Sequence, residues 1–340
     1  MYNLGRRSFV KGAGALAWLG ALRGGRVFAA ESGLFSQGTP NLTFGILTDI
    51  HVSKSGSSFA GEAMFRKALG WFRDQGVDAV AVCGDMADTG LVSELEAVAG
   101  AWSDVFPNDA SPTDGRHVER LFIYGNHDYG EFNGTKSGSI RDAGLAVAWR
   151  QVFGEEYAPV WRKEVKGYTF VGAHWTTGRC KDKDEVGVPE GAAWIAQNGA
   201  SIDPSKPFFY IQHAPPKDTC LGPWHWGRDD GRITSALSNF PNAVAITGHS
   251  HASVSDERSI WQGAFTAVNA GSLRYTGLEY GDLLPTVREN DGAIADGSGR
   301  IMARIARDDG HHGLIARVYD DRIVFERRDF EDLGDRKSVV

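Results

Sequence analysis

Cysteine is scarce in this 340-residue chain, which has only three, at positions 83, 180 and 220. Three thiols are too few for a disulfide framework, so at most Cys180 and Cys220 could pair. Long apolar runs are also missing, because the longest, at 12–22, is too short to span a bilayer and contains glycine. The hydrophobic share of 42% and the charged share of 23% match globular proteins, which excludes disordered, collagen-like and coiled-coil chains.

Acidic residues are absent from the first thirty positions, which carry five basic ones. Arg6 and Arg7 precede the Gly/Ala/Leu-rich run 12–22, and small residues follow before the chain becomes polar at Glu31. This pattern predicts an export signal, and the arginine pair followed by Phe, Val and Lys resembles the bacterial twin-arginine signal. We therefore expect residues 1–30 to be a signal peptide read by the twin-arginine translocation machinery. A membrane anchor or a disordered start is the alternative.

Basic residues are also outnumbered in the rest of the chain. Residues 31–340 contain 31 basic and 43 acidic side chains. Extended nucleic acid is therefore not expected as a partner, because its phosphates require clustered Lys and Arg. We expect this part to be exported from a bacterial cell, to the periplasm or beyond, with no stable membrane span.

Short apolar runs alternate with amphipathic segments from residue 41 onward. Up to residue 246 the pattern predicts strands at 42–47, 77–82, 120–124, 168–173, 208–211 and 243–246 and helices at 59–75, 91–106, 191–201 and 233–240. Such alternation favours an α/β fold with mainly parallel pairing and helices outside. Beyond residue 246 only strands are predicted, at 259–268, 300–305, 314–319 and 322–326, with a turn at Asp320 and Asp321 joining the last two. The stretch 275–299 is expected to be a surface excursion.

Five of the predicted strands end in side chains that can bind a metal. The endings are D-I-H at 49–51, G-D at 84–85, G-N-H-D at 125–128, Q-H at 212–213 and G-H-S-H at 248–251. Because the carboxyl ends of the strands share one edge of such a sheet, these segments should converge. Carboxylate and imidazole without thiolate suit zinc, iron or manganese. Seven ligands fit two ions about 3.5–4 Å apart with one bridging carboxylate, an arrangement that activates a bridging water as hydroxide for phosphoester displacement.

Together these segments resemble the five-part signature of the calcineurin-like metallophosphoesterases, over about residues 42–272. The resemblance implies two mixed β-sheets packed face to face and flanked by helices, a four-layer αββα sandwich formed by a single domain, 31–340. It implies one ion held by Asp49, His51 and His251, another held by Asn126, His213 and His249, and Asp85 as the bridge. His127 is implied to donate a proton to the leaving oxygen or to stabilise it, with Asp128 orienting its imidazole.

The resemblance also narrows the branch of the family. Purple acid phosphatases carry Gly after the first Asp-x and Tyr three residues after the bridging Asp, whereas this chain has His51 and Asp88 there. A tyrosine-ligated iron site is therefore not expected, and the two divalent or mixed-valence ions stay open among Mn, Zn and Fe. Asp88 and residues 269–272 lie where the family has residues that support the metal loops. A turn at Gly271 and Ser272 is the simpler alternative.

Several further side chains allow two interpretations each. The segment 224–226 (Trp-His-Trp) fits a substrate wall or a packed loop equally well, and His174 is expected to be a buried histidine rather than a site residue. Structural roles are expected for His117, His311 and His312. Among three arginines that could bind a phosphate, at 228, 258 and 274, Arg274 is the strongest candidate.

The function expected from these observations is metal-dependent hydrolysis of a phosphoester outside the cytoplasm. The substrate is expected to be a small-molecule or lipid phosphodiester, with a phosphomonoester such as a nucleotide as the alternative. A non-catalytic, metal-containing exported binding protein is the second class considered. The presence of both Asp85 and His127 favours the enzyme.

Overall fold

Two β-sheets are built from the apolar runs of the sequence. In spatial order the first sheet contains β16 (Ile323–Asp329), β15 (His312–Val318), β1 (Leu42–Leu47), β4 (Ala79–Cys83) and β5 (Glu119–Ile123). Strands β1, β4 and β5 pair in parallel, whereas β15 pairs antiparallel with both of its neighbours. The computed structural model describes residues 38–130, 133–177, 187–221, 229–276 and 310–331, and the backbone of three more strands between 288 and 304.

The second sheet is also mixed. Its spatial order is β10 (Ile260–Gln262), β11 (Thr266–Asn269), β9 (Ala243–Thr247), β8 (Phe208–Ile211), β7 (Tyr168–Ala173) and β6 (Val160–Val165). The four inner strands run parallel, and β10 and β6 pair antiparallel at the edges. Two small antiparallel sheets complete the set, one from β2 (Ser53–Ser55) and β3 (Ser58–Ala60), the other from β12 (Arg288–Asn290), β13 (Ala293–Ala295) and β14 (Ile301–Arg304).

Six helices connect the strands in the described part of the chain. They are α1 (Glu62–Asp74), α2 (Val92–Val105), α3 (Ile140–Ala143), α4 (Leu145–Phe153), α5 (Pro189–Asn198) and α6 (Arg232–Leu237). Helix α1 buries Phe65, Leu69 and Phe72, whose spacing of four and three residues places them on one face. None of the described helices is long and apolar enough to cross a membrane.

Side-chain alternation along the strands divides the core into three layers. On β1, Phe44 and Ile46 point between the two sheets, whereas Leu47 joins the cluster under the helices α1, α2 and α4. Phe44 packs edge-on against Phe170 and Phe209 of the opposite sheet, with ring centroids 5.2 and 4.8 Å apart. A third cluster lies between the second sheet and helices α5 and α6. The order is therefore helix, sheet, sheet, helix, which confirms the predicted αββα sandwich.

Most predicted elements are confirmed, but one is wrong and several were missed. The run 259–268, predicted as one strand, is the hairpin of β10 and β11, because the chain turns at Gly263, where a side chain would collide with the ring of Trp261. Strand β6 was missed because it is an edge strand with three consecutive charged residues, 162–164, and a weak apolar pattern. Helices α3 and α4, the hairpin of β2 and β3, and strands β12 and β13 were also missed; the last two lie in the predicted excursion 275–299, most of which is outside the described residues. Residues 1–30, Cys180, 224–226 and Arg228 lie outside the described residues.

Candidate metal centre

The five predicted segments follow the carboxyl ends of strands from both sheets. Asp49 and His51 follow β1, Asp85 follows β4, and Asn126 follows β5 in the first sheet. His213 follows β8 and the pair at 249 and 251 follows β9 in the second sheet. Six of these seven side chains form two clusters in which the possible ligand atoms lie within 4.8 Å of one another: Asp49 with His51 and His251, and Asp85 with His213 and His249.

The backbone at these positions adopts left-handed geometry. Among the described residues ten non-glycine positions have positive φ, and five of them are candidate ligands: Asp49 (51°), His51 (48°), Asp85 (52°), His249 (71°) and His251 (52°). This conformation costs about 1–2 kcal/mol for each residue and clusters at functional sites. The sharp turns place alternate side chains of the D-x-H and H-x-H segments toward the same point.

Glycine is required immediately before three of the ligand segments. A Cβ at Gly84, whose φ is +93°, would lie 2.6 Å from Nδ1 of His213. At Gly125 a Cβ would collide with the Asp85 carboxylate, and at Gly248 with the Thr48 side chain. Each loop can therefore approach the loop or strand end beside it only because the residue before the ligand has no side chain.

The first cluster is formed around Oδ1 of Asp49, which is fully buried. This oxygen lies 3.1 Å from Nε2 of His251 and 3.7 Å from Nε2 of His51, and the two Nε2 atoms are 3.1 Å apart. The other oxygen, Oδ2, accepts hydrogen bonds from the Thr48 hydroxyl and from the amide of His249. Only one oxygen of this carboxylate is therefore directed at the histidines, and it is held there by the bonds to the other.

The carboxylate of the second cluster, Asp85, also lies close to a histidine of the first cluster. Oδ2 of Asp85 lies 3.1 Å from Nε2 of His213 and 3.7 Å from Nε2 of His51, so it stands between one histidine of each cluster. Nδ1 of His249 lies 3.2 Å from Nε2 of His213. Asn126 is buried, with 2% of its surface exposed, and its neighbour His127 donates its amide to Oδ1 of Asp85 at 2.9 Å.

Backbone acceptors determine which nitrogen of two histidines carries a proton. Nδ1 of His213 lies 2.7 Å from the Cys83 carbonyl, and Nδ1 of His251 lies 3.0 Å from the Tyr275 carbonyl. A carbonyl only accepts, so each Nδ1 is the donor and each Nε2 is the atom directed at its cluster, where it offers a lone pair once a cation replaces its proton. Nδ1 of His51 similarly faces Oδ1 of Asp88 at 3.1 Å. Lone pairs of His51 and His251 in direct contact repel unless a cation or proton lies between them.

The electrostatics of the two clusters also require positive charge. Burial alone would lower the pKa of His51, but the carboxylates of Asp49, Asp88 and Asp85 outweigh it and raise that pKa to about 10. For His213, burial is outweighed by Asp85 and Asp49, and the pKa rises to about 9. Burial would raise the pKa of Asp49, but the histidines lower it well below its usual value. Converging lone pairs and carboxylates around buried space fit divalent cations, which would replace these protons.

The described bonds of Asp128 differ from the predicted role. Its carboxylate accepts three backbone amides, from Gly125 at 2.8 Å, Ala87 at 2.7 Å and Met86 at 3.2 Å. The group that orients His127 is instead the Asp88 carbonyl, which lies 2.7 Å from its Nδ1. Asp128 therefore joins the two loops that follow β4 and β5 through its bonds from these backbone donors.

The predicted supporting residues lie beneath the ligand loops. Asn269 donates to the carbonyl of Gly248 at 2.6 Å and accepts from the Ser250 hydroxyl at 3.0 Å. The Ser272 hydroxyl donates to the carbonyl of Asp49 at 3.3 Å and also accepts the amides of residues 274 and 275. Asn269 and Ser272 therefore support the metal loops, and Ser272 also forms the turn that follows Gly271. The segment 269–272 combines the two roles that the sequence left as alternatives.

Two aromatic residues at the site had no signal in the sequence. The ring of Tyr275 packs on His251 with centroids 4.4 Å apart, and Trp175 lies 6.1 Å from His213 and 6.0 Å from His249. Each aromatic ring therefore flanks the histidines of one cluster. Their positions in the sequence were the one available hint: Tyr275 follows the turn at Gly271 and Ser272, and Trp175 follows the end of β7.

The other conspicuous residues occupy different places. His174 is buried, its Nδ1 accepts the amide of Tyr124 at 3.0 Å, and burial lowers its pKa to about 3. Arg258 pairs with Asp256 at 2.7 Å, whereas Arg274 is half-buried and donates its amide to the Asp49 carbonyl. Three further described histidines contact groups away from the clusters. His117 lies against Glu119 and His311 against the Leu273 carbonyl, and His312 lies 3.9 Å from Asp329. Cys220 is a free, buried thiol.

Comparison with known proteins identifies the family. The family model described as calcineurin-like phosphoesterase matches residues 42–253, so the chain belongs to that family. It is therefore a metal-dependent hydrolase of phosphoester bonds, and its two clusters are candidate sites for divalent ions. No curated protein matches it in sequence.

Two solved structures illustrate the shared fold. A dimetal phosphatase from Danio rerio superposes with a TM-score of 0.52 at 13% identity, over 88% of this chain and 99% of that one. A purple acid phosphatase from yellow lupin (Lupinus luteus) gives 0.53 at 14% identity, over 88% of this chain and 54% of that one. At such identities the likeness concerns the fold alone.

Proposed function

We propose that this protein is an exported phosphoesterase with a dinuclear metal centre that prefers phosphodiesters to phosphomonoesters. The observation that carries the dinuclear assignment is the position of Asp85, whose Oδ2 lies 3.1 Å from His213 of one cluster and 3.7 Å from His51 of the other. One oxygen so placed can serve two ions. Asp49, His51 and His251 would hold the first ion, and Asn126, His213 and His249 the second.

Bound there, two divalent ions would activate a water molecule and neutralise the phosphoryl oxygens. The chain's own residues determine what else happens. His127 is one-fifth exposed, and its Nδ1 donates to the Asp88 carbonyl, so its Nε2 is the atom that acts on substrate. From that atom, when protonated, His127 would transfer a proton to the leaving oxygen. Asp88 contacts both His127, through its carbonyl, and His51, through its carboxylate, so it links the orientation of His127 to the first cluster.

Export is proposed from the N-terminal sequence. Arg6 and Arg7, the glycine-containing apolar run 12–22 and the absence of acid before Glu31 fit a twin-arginine signal. A protein translocated in the folded state can acquire its metals before it leaves the cytoplasm. Fractionation of cells that express the full chain, beside an Arg6→Lys, Arg7→Lys variant, tests this: loss of export only in the variant is expected, and equal export of both would contradict the proposal.

The catalytic proposal is tested with the full chain, stripped of metal and reloaded with manganese or zinc. We expect two ions per chain and faster hydrolysis of bis(4-nitrophenyl) phosphate than of 4-nitrophenyl phosphate. His127→Ala should lower kcat by about 10²–10⁴-fold for diphenyl phosphate, whose leaving phenoxide is basic and needs a proton, and by much less for bis(4-nitrophenyl) phosphate, while both ions stay bound, because it removes an acid and no ligand. The matched control is His117→Ala, which removes an exposed histidine paired with Glu119.

The possible results separate the alternatives. Faster monoester hydrolysis would identify a phosphatase or nucleotidase of the same fold. One ion per chain would contradict the bridging role of Asp85. Two bound ions without turnover of either ester would contradict the enzymatic proposal for these substrates.

A further inference from the structure

Strand β5 forms one edge of the first sheet and leads, through Tyr124, into the loop 125–128, which carries Asn126 and His127. In the described part of the chain this strand has a strand partner on one side only. Residues of β6 and the end of β7 bond its other side: the carbonyls at 120, 122 and 124 accept from the Lys163 ammonium at 2.8 Å, the Trp161 indole at 3.1 Å and the Trp175 amide at 3.0 Å. Directional bonds therefore join the two sheets along this edge.

His174 makes the bond next to the loop. Its Nδ1 lies 3.0 Å from the amide of Tyr124, the residue that directly precedes 125–128. An amide only donates, so Nδ1 is the acceptor, and burial lowers the pKa of His174 to about 3, so the ring is neutral with its proton on Nε2. Tyr124 is thus held at both of its backbone polar groups, the amide by His174 and the carbonyl by the Trp175 amide.

The other nitrogen of the His174 ring is not used for hydrogen bonding. Its Nε2 is buried and has no partner within the described part of the chain. The ring packs among those of Tyr124, Trp149 and Tyr157, with centroids 5.2, 4.6 and 4.9 Å away. A buried donor without an acceptor destabilises a fold, and a phenyl ring would fill the same aromatic surroundings without that cost. The Nδ1 acceptor is therefore what distinguishes histidine here from an apolar ring.

The loop 125–128 must be placed accurately against the second sheet. Asn126, on the loop, follows a strand of the first sheet, whereas His213 and His249, with which it would share an ion, follow strands of the second. Apolar contacts between sheets have no preferred direction, so they do not fix such a distance by themselves. Trp175 packs 6.1 and 6.0 Å from the rings of these two histidines, so a loop bonded to residues 174 and 175 is bonded beside them.

We infer that His174 is a positioning residue of the metal centre. Its bond from the Tyr124 amide holds the loop 125–128 against the second sheet, and this places Asn126 for the second ion and His127 for the leaving oxygen. The inference rests on the proposed function, which gives those two residues their roles. His174 acts through Tyr124 and not on the substrate itself.

Two substitutions separate the acceptor from the ring. His174→Phe keeps the ring packing and removes the acceptor, whereas His174→Asn loses the ring and keeps an oxygen close to the position of Nδ1. A purely structural role predicts that His174→Phe is the milder change, and a positioning role predicts that His174→Asn is. The matched control is Trp161→Phe, which removes the bond to the carbonyl two residues before Tyr124 on the same edge.

The first measurement needs neither metal nor turnover. In the metal-free full chain, amide hydrogen exchange over 124–128, followed by mass spectrometry, should be at least about tenfold faster in His174→Phe than in the wild type. His174→Asn and Trp161→Phe should exchange there at close to the wild-type rate. Exchange over 42–47, in β1, should be the same in all four proteins and shows that the fold is intact.

The second measurement uses the manganese-loaded full chain. Calorimetry should show one of two ions bound at least about tenfold more weakly in His174→Phe, and close to wild-type affinities in His174→Asn and Trp161→Phe. At saturating manganese, kcat of His174→Phe for diphenyl phosphate should fall about 10²-fold, because a shift of about 1 Å in a catalytic group has that effect. Its KM should change less than about threefold, because a displaced acid acts on the transition state.

The results distinguish this inference from the proposed function. Unchanged exchange over 124–128 in His174→Phe would overturn the inference whatever the activity. Faster exchange with unchanged ion affinity would also overturn it, because His174 would then have a structural role alone, and so would a larger loss of affinity in His174→Asn than in His174→Phe. The expected exchange rates and ion affinities in a protein that hydrolyses no ester would uphold the positioning role and reject the catalytic proposal.

Discussion

Replacing Asp128 by Asn distinguishes a loop-holding role from a direct role in orienting His127. The carboxylate accepts three buried backbone amides, two on Oδ2 and one on Oδ1. An asparagine keeps one acceptor oxygen and turns an NH₂ group toward a third amide, leaving two donors facing each other. Each unsatisfied buried group costs about 1–3 kcal/mol. Burial and the charge of Asp85 raise the pKa of Asp128 to about 7, so removing its charge offsets part of this cost.

We therefore expect Asp128→Asn to lower the free energy of unfolding by about 3 kcal/mol at pH 7. Urea titration of the metal-free protein, followed by tryptophan fluorescence, measures the loss. The control is Asp203→Asn, since Asp203 accepts the Ser205 amide in an exposed turn and should change stability by less than about 1 kcal/mol.

The same variant tests catalysis. Because the Asp88 carbonyl orients His127, the pH dependence of kcat should keep its position in Asp128→Asn wherever the protein stays folded. Unchanged stability together with a kcat at least about 100-fold lower and a displaced pH profile would refute this reasoning. It would show instead that Asp128 acts on His127 directly.

Three further predictions concern the two clusters. Asp85→Asn should leave the fold intact but weaken metal binding at least about 100-fold, because the amide keeps the bond from the His127 amide and loses the shared charge; unchanged metal content by mass spectrometry would contradict this. The metal-stripped protein should lose several kcal/mol of stability as pH rises from about 6.5 to about 10. The folded protein raises the pKa values of His51 and His213, so protonation of these histidines stabilises it fully below their unfolded pKa of about 6.5 and is lost as pH passes the raised values. Thermal midpoints that do not change with pH would contradict this prediction. Tyr275→Ala should lower the affinity for one of the two ions about tenfold, measured by calorimetry, whereas Tyr275→Phe, which keeps the ring on His251, should leave it unchanged. Equal affinities in the two variants would argue against ring packing as the cause.

The fold could be predicted from sequence wherever a strand carried a continuous apolar run. The run 42–47 is β1 in the structure, with the same bounds, because both of its faces are buried and no alternation obscures it. Strand β6 could not be found in that way, since at a sheet edge its charged residues face outward and its identity depends on pairing with β7.

The chemistry of the site was evident in the order of Asp, Asn and His at the strand ends, because that property belongs to each segment alone. Which atoms meet depends on the packing of one sheet against the other. The clusters combine His213 and the 249–251 pair from the second sheet with Asp49 and Asp85 from the first. The pairing of β4 with β5 within the first sheet turns Asp128 toward backbone amides and brings His127 to the Asp88 carbonyl, a result that residue type and spacing did not contain. Sequence determined the chemical groups at this site; tertiary structure decided their partners, because contacts between residues 37 to 200 positions apart exist only once the strands have assembled into sheets.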